Sequence, residues 1–262
     1  MITLKSAREI DVMSRAGDVV ARTLGMLRDM VRPGLTTEDL DAEAEKFIRS
    51  HKGAKPSFKG LYGFPKTLCV SIDEEIVHGI PSNKRVLAEG SIVSIDCGVY
   101  LEGLHADSAT TVAVGAISAE AQRLMDVTQA SLAAGIAQAI LGNHIGDIGH
   151  AVQQVAEGAG YGVVRELVGH GIGTRFHEEP QVPNYGPPKR RERLVAGMTI
   201  AIEPMITAGA PATKTLADKW TVVTADGSLA AHFEHTVAIT EGGADVLTLA
   251  PGLSPASAGE RN

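Results

Sequence analysis

The chain has 262 residues, with 24 Lys plus Arg against 31 Asp plus Glu, a formal charge of −7, and 44% apolar residues. That length buries a core without staples, and the acidic balance argues against a general nucleic-acid binder, which needs a basic face. Two cysteines, Cys69 and Cys97, cannot build a disulfide framework, and no apolar run approaches the ~20 residues of a membrane span. Met1 to Ser6 reads as neither signal peptide nor anchor, so the expected location is cytoplasmic. Ser6 and Glu9 then form a capping box, and Ile10, Met13, Gly17, Val20, Leu24 and Leu27 recur at helical spacing until Pro33-Gly34. Thr36 or Thr37 starts a second helix through Leu40, Ala44 and Phe47. Thr67–Ile72, Ser91–Ile95 and Thr110–Val114 read as strands, a helix resumes at Ser118, and strand-like runs return from about 163.

This order of helices, strands, helices and strands points to a duplication. Leu87-Ala-Glu-Gly-Ser-Ile-Val-Ser-Ile-Asp96 aligns with Leu194-Val-Ala-Gly-Met-Thr-Ile-Ala-Ile-Glu203, an offset of 203 − 96 = 107. Asp39-Leu40 and Asp147-Ile148 align independently at 147 − 39 = 108. The expected fold class is therefore α+β with pseudo-twofold symmetry. It is read as one domain over residues 1–250, with halves of about 1–117 and 118–250. Residues 251–262, rich in Pro, Ser, Ala and Gly, are expected to be disordered. The basic run Pro187 to Arg193 reads as a solvated loop.

Most acidic residues suit turns and helix surfaces. Asp96 and Glu203 instead end apolar strand segments, where a lone ionised carboxylate is costly. Alternation through Ala231–Ile239 sends Phe233, Val237 and Ile239 to one face and Glu234, Thr236 and Ala238 to the other. Asp107 opens a strand whose same-face neighbours, Ala109 and Thr111, are small. Alone, His170 in Val168-Gly-His-Gly-Ile-Gly173 reads as a core histidine; beside four such carboxylates it reads as a ligand, its glycines admitting close approach. No Gly-Lys-Ser/Thr follows to make a phosphate loop. An oxygen-rich donor set with one imidazole suits Mn(II), Fe(II) or Co(II), with Zn(II) possible. Bridging carboxylates favour a pair of ions ~3.5–4 Å apart, and metal-assisted hydrolysis.

Asp96, Asp107, His170, Glu203 and Glu234, with Val77-His-Gly-Ile-Pro81, Ser94-Ile-Asp-Cys-Gly98, Ile202-Glu-Pro-Met205 and Phe233-Glu-His-Thr236, resemble the ligands and motifs of the methionine aminopeptidases. The resemblance covers roughly residues 5–249 and is nearest the short bacterial type I class, since gaps of 33 residues (170 to 203) and 31 (203 to 234) leave no room for the type II insertion. It implies a "pita-bread" fold, two related α/β halves with a curved antiparallel sheet around a dinuclear metal site. The implied activity is removal of the initiator Met from nascent chains whose second residue is small, through a metal-bridging water or hydroxide. Asp96 would chelate one ion, Asp107 and Glu234 would bridge, and His170 and Glu203 would complete the other; Glu203 would also accept the water's proton. His78 would contact the substrate backbone and carry protons, and His177 would donate to the oxyanion. Leu61, Phe64, Cys69, Phe176 and Trp220 would line the methionine pocket, with Leu61 and Phe64 at rim positions where better-known members carry tyrosines.

Two alternatives stay open: a Xaa-Pro peptidase on the same fold, and a binding module without catalysis. Expected partners are nascent N-termini, and transient contact of Lys189–Arg193 with the ribosome; a membrane, sequence-specific nucleic acid and a second subunit are not expected.

Overall fold

In the computed structural model, residues 2–249 are described, and the C-terminal tail read as disordered lies outside them. The Ser6 hydroxyl accepts the Glu9 N–H, and the Glu9 carboxylate accepts the Ser6 N–H, which starts α1 (Ala7–Met30). Met13, Gly17, Val20, Leu24 and Leu27 form its buried stripe. Thr36 caps α2 (Thr37–Ser50) in the same way with Asp39. Ser118 caps α3 (Ala119–Gln138), and Asp147 holds the His144 N–H at the start of α4 (Ile145–Gly158).

The duplication is written in backbone hydrogen bonds. In the first half Gly34 N–H donates to Leu87 O, Leu87 N–H to Leu35 O, and Thr37 N–H to Arg85 O. In the second, Gly142 N–H donates to Leu194 O, Leu194 N–H to Asn143 O, and Ile145 N–H to Glu192 O. The offsets, 142 − 34 = 108 and 194 − 87 = 107, are those of the sequence repeat. Each half has its own core: one gathers residues between Ala16 and Val114, the other is drawn almost wholly from Ala121 to Ile239.

In the first half, Ile92–Leu101 and Leu104–Ala113 form a long hairpin, joined by Leu68–Ile72 and Lys55–Pro56 in a four-stranded sheet. The second half carries a five-stranded sheet in the order Gly243–Val246, His235–Thr240, Thr199–Ile202, Gly169–Gly171, Glu178–Val182. Among the described residues every strand pairing is antiparallel.

Three local readings change. Asp96 does not end its strand, nor does Asp107 open one. Both lie inside the hairpin, Asp96 opposite Ala109 and Cys69, Asp107 opposite Gly98. The reversal comes later, at Glu102-Gly103, both at positive φ (48° and 95°), so pairing continues beyond the carboxylates. The run Ala231–Ile239 is interrupted: Ala230–His232 pairs with Met205–Thr207, whereas His235–Thr240 pairs with Thr199–Ile202. The alternation survives the break, since Ala231, Phe233, Val237 and Ile239 all join the second-half core.

The break meets the first-half hairpin in a symmetric seam. Thr236 Oγ1 accepts the Asp107 N–H and donates to Asp107 O, while Thr111 Oγ1 accepts the His232 N–H and donates to His232 O. The two exchanges are related by one offset, 232 − 107 = 236 − 111 = 125. Midway between them Glu234 N–H donates to Ala109 O. The His232 N–H and C=O and the Glu234 N–H and C=O, which the break takes out of a strand ladder, are thereby paired with a hydroxyl or a carbonyl.

Helix α1 is locked against the far end of the chain. A Cβ at Gly17 would lie 2.0 Å from Leu247 O, an overlap with backbone that no rotamer relieves. Gly17→Ala gains about 0.5–1 kcal/mol of helix propensity but meets overpacking of typically about 1–3 kcal/mol or more. Net destabilisation of about 1–2 kcal/mol is expected in urea unfolding; a stabilised variant would show that this contact yields.

Candidate metal centre and substrate pocket

The seam brings four carboxylates together because each of its strands carries one. Asp96 and Asp107 are diagonal neighbours on one face of the hairpin, Glu234 sits in the break beside Ala109, and Glu203 follows Thr199–Ile202. His170 lies on the neighbouring strand Gly169–Gly171, its Nδ1 2.8 Å from Gly171 O, so that nitrogen carries the proton and Nε2 is left as a lone-pair donor. All five line one cavity of about 150 Å³. Asp107, His170 and Glu234 offer ligand atoms within 4.8 Å of one another, and His170 Nε2 lies 3.7 Å from Glu203 Oε1.

Electrostatics turn this proximity into a demand. Asp96 Oδ1, Asp107 Oδ1 and Glu234 Oε1 are buried without a hydrogen-bond donor among the described residues. Burial pushes Asp96 up to about 7. Burial, then the charges of Asp96 and Glu203, hold Asp107 well above the carboxylate range; burial and Asp96 do the same to Glu203. Glu234 is raised by burial and by all three neighbours. The surrounding histidines cannot neutralise the cluster, because burial lowers His170 to about 3 and His78 to about 4, and also lowers His177. Orphaned, mutually repelling carboxylate oxygens with a neutral imidazole are the donor set for a divalent cation. On that observation the residues fit a metal site.

The apolar wall is built from both halves. Phe64, Cys69, Phe176, Trp220 and, at the edge, Leu61 line the same cavity as the carboxylates. Phe58 also lines it; its ring packs edge-on to Phe176 at 5.3 Å, and Phe64 meets Trp220 at 5.1 Å. That volume is shared between the apolar wall and the carboxylates. His78 and His177 lie at this wall. His78 has φ 60° and is followed by Gly79, where a Cβ would lie 2.2 Å from Val70 O. A non-glycine residue held left-handed in a cavity is strain placed at a site.

Sequence reasoning missed Phe58, Tyr62 and His232. Tyr62, at φ 51°, stacks on His177 at 5.7 Å with its hydroxyl 3.3 Å from His177 Nδ1. The rim therefore does carry a tyrosine, adjacent to Leu61. His232 is fully buried, its Nε2 3.7 Å from Glu203 Oε2, so Glu203 stands between two imidazoles. An unpartnered histidine two residues before Glu234 was the only signal for it. One reading is corrected: the glycines around His170 do not make room for a ligand. A Cβ at Gly169, Gly171 or Gly173 would strike Ala201 O, Glu179 O or the Lys5 side chain, so each admits this chain's own neighbour.

Such a site places the protein among metal-dependent hydrolases. The chain belongs to metallopeptidase family M24, whose sequence profile matches residues 11–241. It is 53% identical over 249 residues to the methionine aminopeptidase of Clostridium acetobutylicum, covering 95% of this chain and 99% of that one. It is 52% identical over 248 residues to methionine aminopeptidase 1 of Bacillus subtilis, covering 95% and 99%. The crystal structure of the Thermotoga maritima methionine aminopeptidase superposes with a TM-score of 0.93 at 42% identity, covering 95% of this chain and 100% of that one. A prolidase of Pyrococcus horikoshii shares the fold alone, with a TM-score of 0.77 at 21% identity over 94% of this chain and 63% of that one. The fold is the mixed α/β pita-bread fold of this family, as the resemblance implied.

The raised carboxylates give the metal-free protein a distinctive pH response. Their folded-state pKa values lie above the ~4 of the unfolded chain, so their contribution is full below about pH 4 and is lost as pH rises through the folded values, about 7 for Asp96. With a chelator present, the melting temperature should fall steadily across pH 5 to 8, and added Mn(II) should abolish the fall. A flat profile without metal would contradict this electrostatic account.

Proposed function

We propose that this chain removes the N-terminal methionine from nascent polypeptides whose second residue is small, using one peptidase domain over residues 1–250 with halves of about 1–117 and 118–250. The observation that carries the reading is the single cavity in which an apolar wall from both halves meets the orphaned carboxylates. Near-full-length identity to proteins named methionine aminopeptidases supports it.

Asp96, Asp107, His170, Glu203 and Glu234 would hold two divalent ions from among Mn(II), Fe(II), Co(II) and Zn(II). Ions bound there supply Lewis-acid polarisation of the scissile carbonyl and acidify water. The chain's own residues do the rest. Phe64, Cys69, Phe176 and Trp220 take up the thioether side chain and exclude water around it. Leu61, with Tyr62 stacked on His177, narrows the mouth where the second residue passes, which supports selection for a small one. With the Tyr62 hydroxyl donating to Nδ1, His177 Nε2 would carry the ring proton and donate to the developing oxyanion. Glu203, between two neutral imidazoles, is the proton acceptor, and His78 meets the substrate backbone. The enzyme would work as a monomer in the cytoplasm. Transient ribosome contact through Lys189–Arg193 is supported by the exposure of that run.

Retention of all five ligand positions in one cavity weighs against a non-catalytic module. Fold likeness to a prolidase leaves the Xaa-Pro reading to experiment. Metal-loaded protein should release Met from Met-Ala-Ser and leave Ala-Pro intact. His177→Ala should lower kcat about 10²- to 10³-fold, the usual loss for an oxyanion donor, with KM little changed. Hydrolysis confined to Xaa-Pro bonds, whatever the first residue, would sink the reading.

A further inference from the structure

His177 and Phe176 sit on a turn, residues 172–177, between the strands Gly169–Gly171 and Glu178–Val182. Its two apolar residues, Ile172 and Phe176, are buried in the cluster beside the site, and Thr199 Oγ1 donates to Ile172 O, but the stretch between them has few bonds of its own. Its backbone bonds are Ile172 N–H to Thr199 O at the start, Gly173 N–H to Arg175 O, and His105 N–H to Gly173 O. Its closure depends on the Glu178 carboxylate, whose Oε1 accepts from Thr174 Oγ1 at 3.2 Å and from the Arg175 N–H at 3.1 Å. The other oxygen, Oε2, is held by Lys5 Nζ at 2.5 Å, and both side chains are 2% exposed. Lys5 is itself fixed, its N–H donating to Gly197 O at 2.7 Å and its ammonium to Thr3 O at 3.0 Å. Its stem passes directly over Gly173, where a Cβ would lie 2.2 Å from Lys5 Cε.

We infer that Lys5 is a positioning residue for catalysis: acting through Glu178, it fixes the turn that places His177 and Phe176 at the site. The segment ahead of α1 is thus a support of the active centre, although 173 residues separate it from Glu178. Three features favour this over a simple anchor for the N-terminus. The acceptor is the residue that closes the turn and directly follows His177. The last glycine of Gly169-His-Gly-Ile-Gly173 serves the passage of Lys5 and no ligand. The rings carried by the turn pack on the candidate ligand His170, with His177 at 4.4 Å and Phe176 at 5.4 Å, so a shift of the turn is felt where the chemistry occurs. Removing Lys5 leaves a buried carboxylate without its cation, and a shift of the turn toward water relieves that cost.

The inference rests on the aminopeptidase reading, and a double-mutant cycle separates the two. Metal-loaded wild type, Lys5→Met, His177→Ala and the double variant are compared on Met-Ala-Ser, with metal stoichiometry measured for each. Lys5→Met should lower kcat roughly 10- to 100-fold, the scale of a misplacement near 1 Å, with KM and metal content little changed. In the His177→Ala background the same substitution should cost kcat several-fold less than in the wild type, because the proton donor it positions is gone and only Phe176 is left to shift. Adding Glu178→Gln to Lys5→Met removes the stranded charge and should restore part of kcat. Should Lys5→Met not fold, Glu178→Gln, which keeps the shape, takes its place in the cycle. Independent effects of Lys5 and His177, or a Lys5→Met variant that melts lower but turns over at the wild-type rate, would overturn the inference while leaving the aminopeptidase reading intact. Failure of the wild type to cleave Met-Ala-Ser would remove both.

Discussion

Four carboxylates share a volume from which water and donors are largely excluded, and much of the rest of the molecule can be read as the means of holding them there. In an unassisted interior such a cluster either protonates or pulls apart. Asp96, Asp107, Glu203 and Glu234 are all held above the ordinary carboxylate range by burial, and their mutual repulsion adds to it. Among the described residues no cationic side chain relieves them: the nearby histidines are driven neutral by the same burial. Divalent cations are partners suited to such a cluster, and membership of a metallopeptidase family agrees with it.

Holding like charges together requires rigid elements, and duplication supplies them. Each half brings a core and a sheet, and the two meet where Thr111 and Thr236 each take an N–H and return an O–H to the opposite strand. These exchanges pair the backbone of His232 and seat the broken strand on the hairpin, where Glu234 N–H donates to Ala109 O beside Asp96. The apolar pocket has the same origin. Val12, Phe64, Cys69 and Leu104 from the first half join Ile172, Phe176 and Ala238 from the second in one cluster beside the acidic one. Metal chemistry and side-chain recognition are therefore neighbours because both are products of one seam.

The helices were legible because their signals are local: the Ser6–Glu9 box and the threonine pair Thr36-Thr37 mark their starts within one residue. The repeat was legible because strands of equal role kept Leu, Gly and Ile at equal offsets. The extent of the central hairpin was not, since it depends on a turn at Glu102-Gly103 whose positive φ values no hydrophobic pattern announces. The carboxylates stood out as polar residues in apolar runs. His232 and Lys5 did not, because their meaning lies in contacts with Glu203 and Glu178, and only the fold makes those contacts. Tyr62 was hidden similarly, by a left-handed residue in a short helical turn that carries it onto His177.

Calorimetric titration of the chelator-treated chain with Mn(II), repeated in buffers of different ionisation enthalpy, tests the central claim most directly. The account predicts binding of two ions per chain with release of protons from the raised carboxylates, and loss of both signals in Asp107→Asn. Binding that released no protons, or that Asp107→Asn left unchanged, would contradict it.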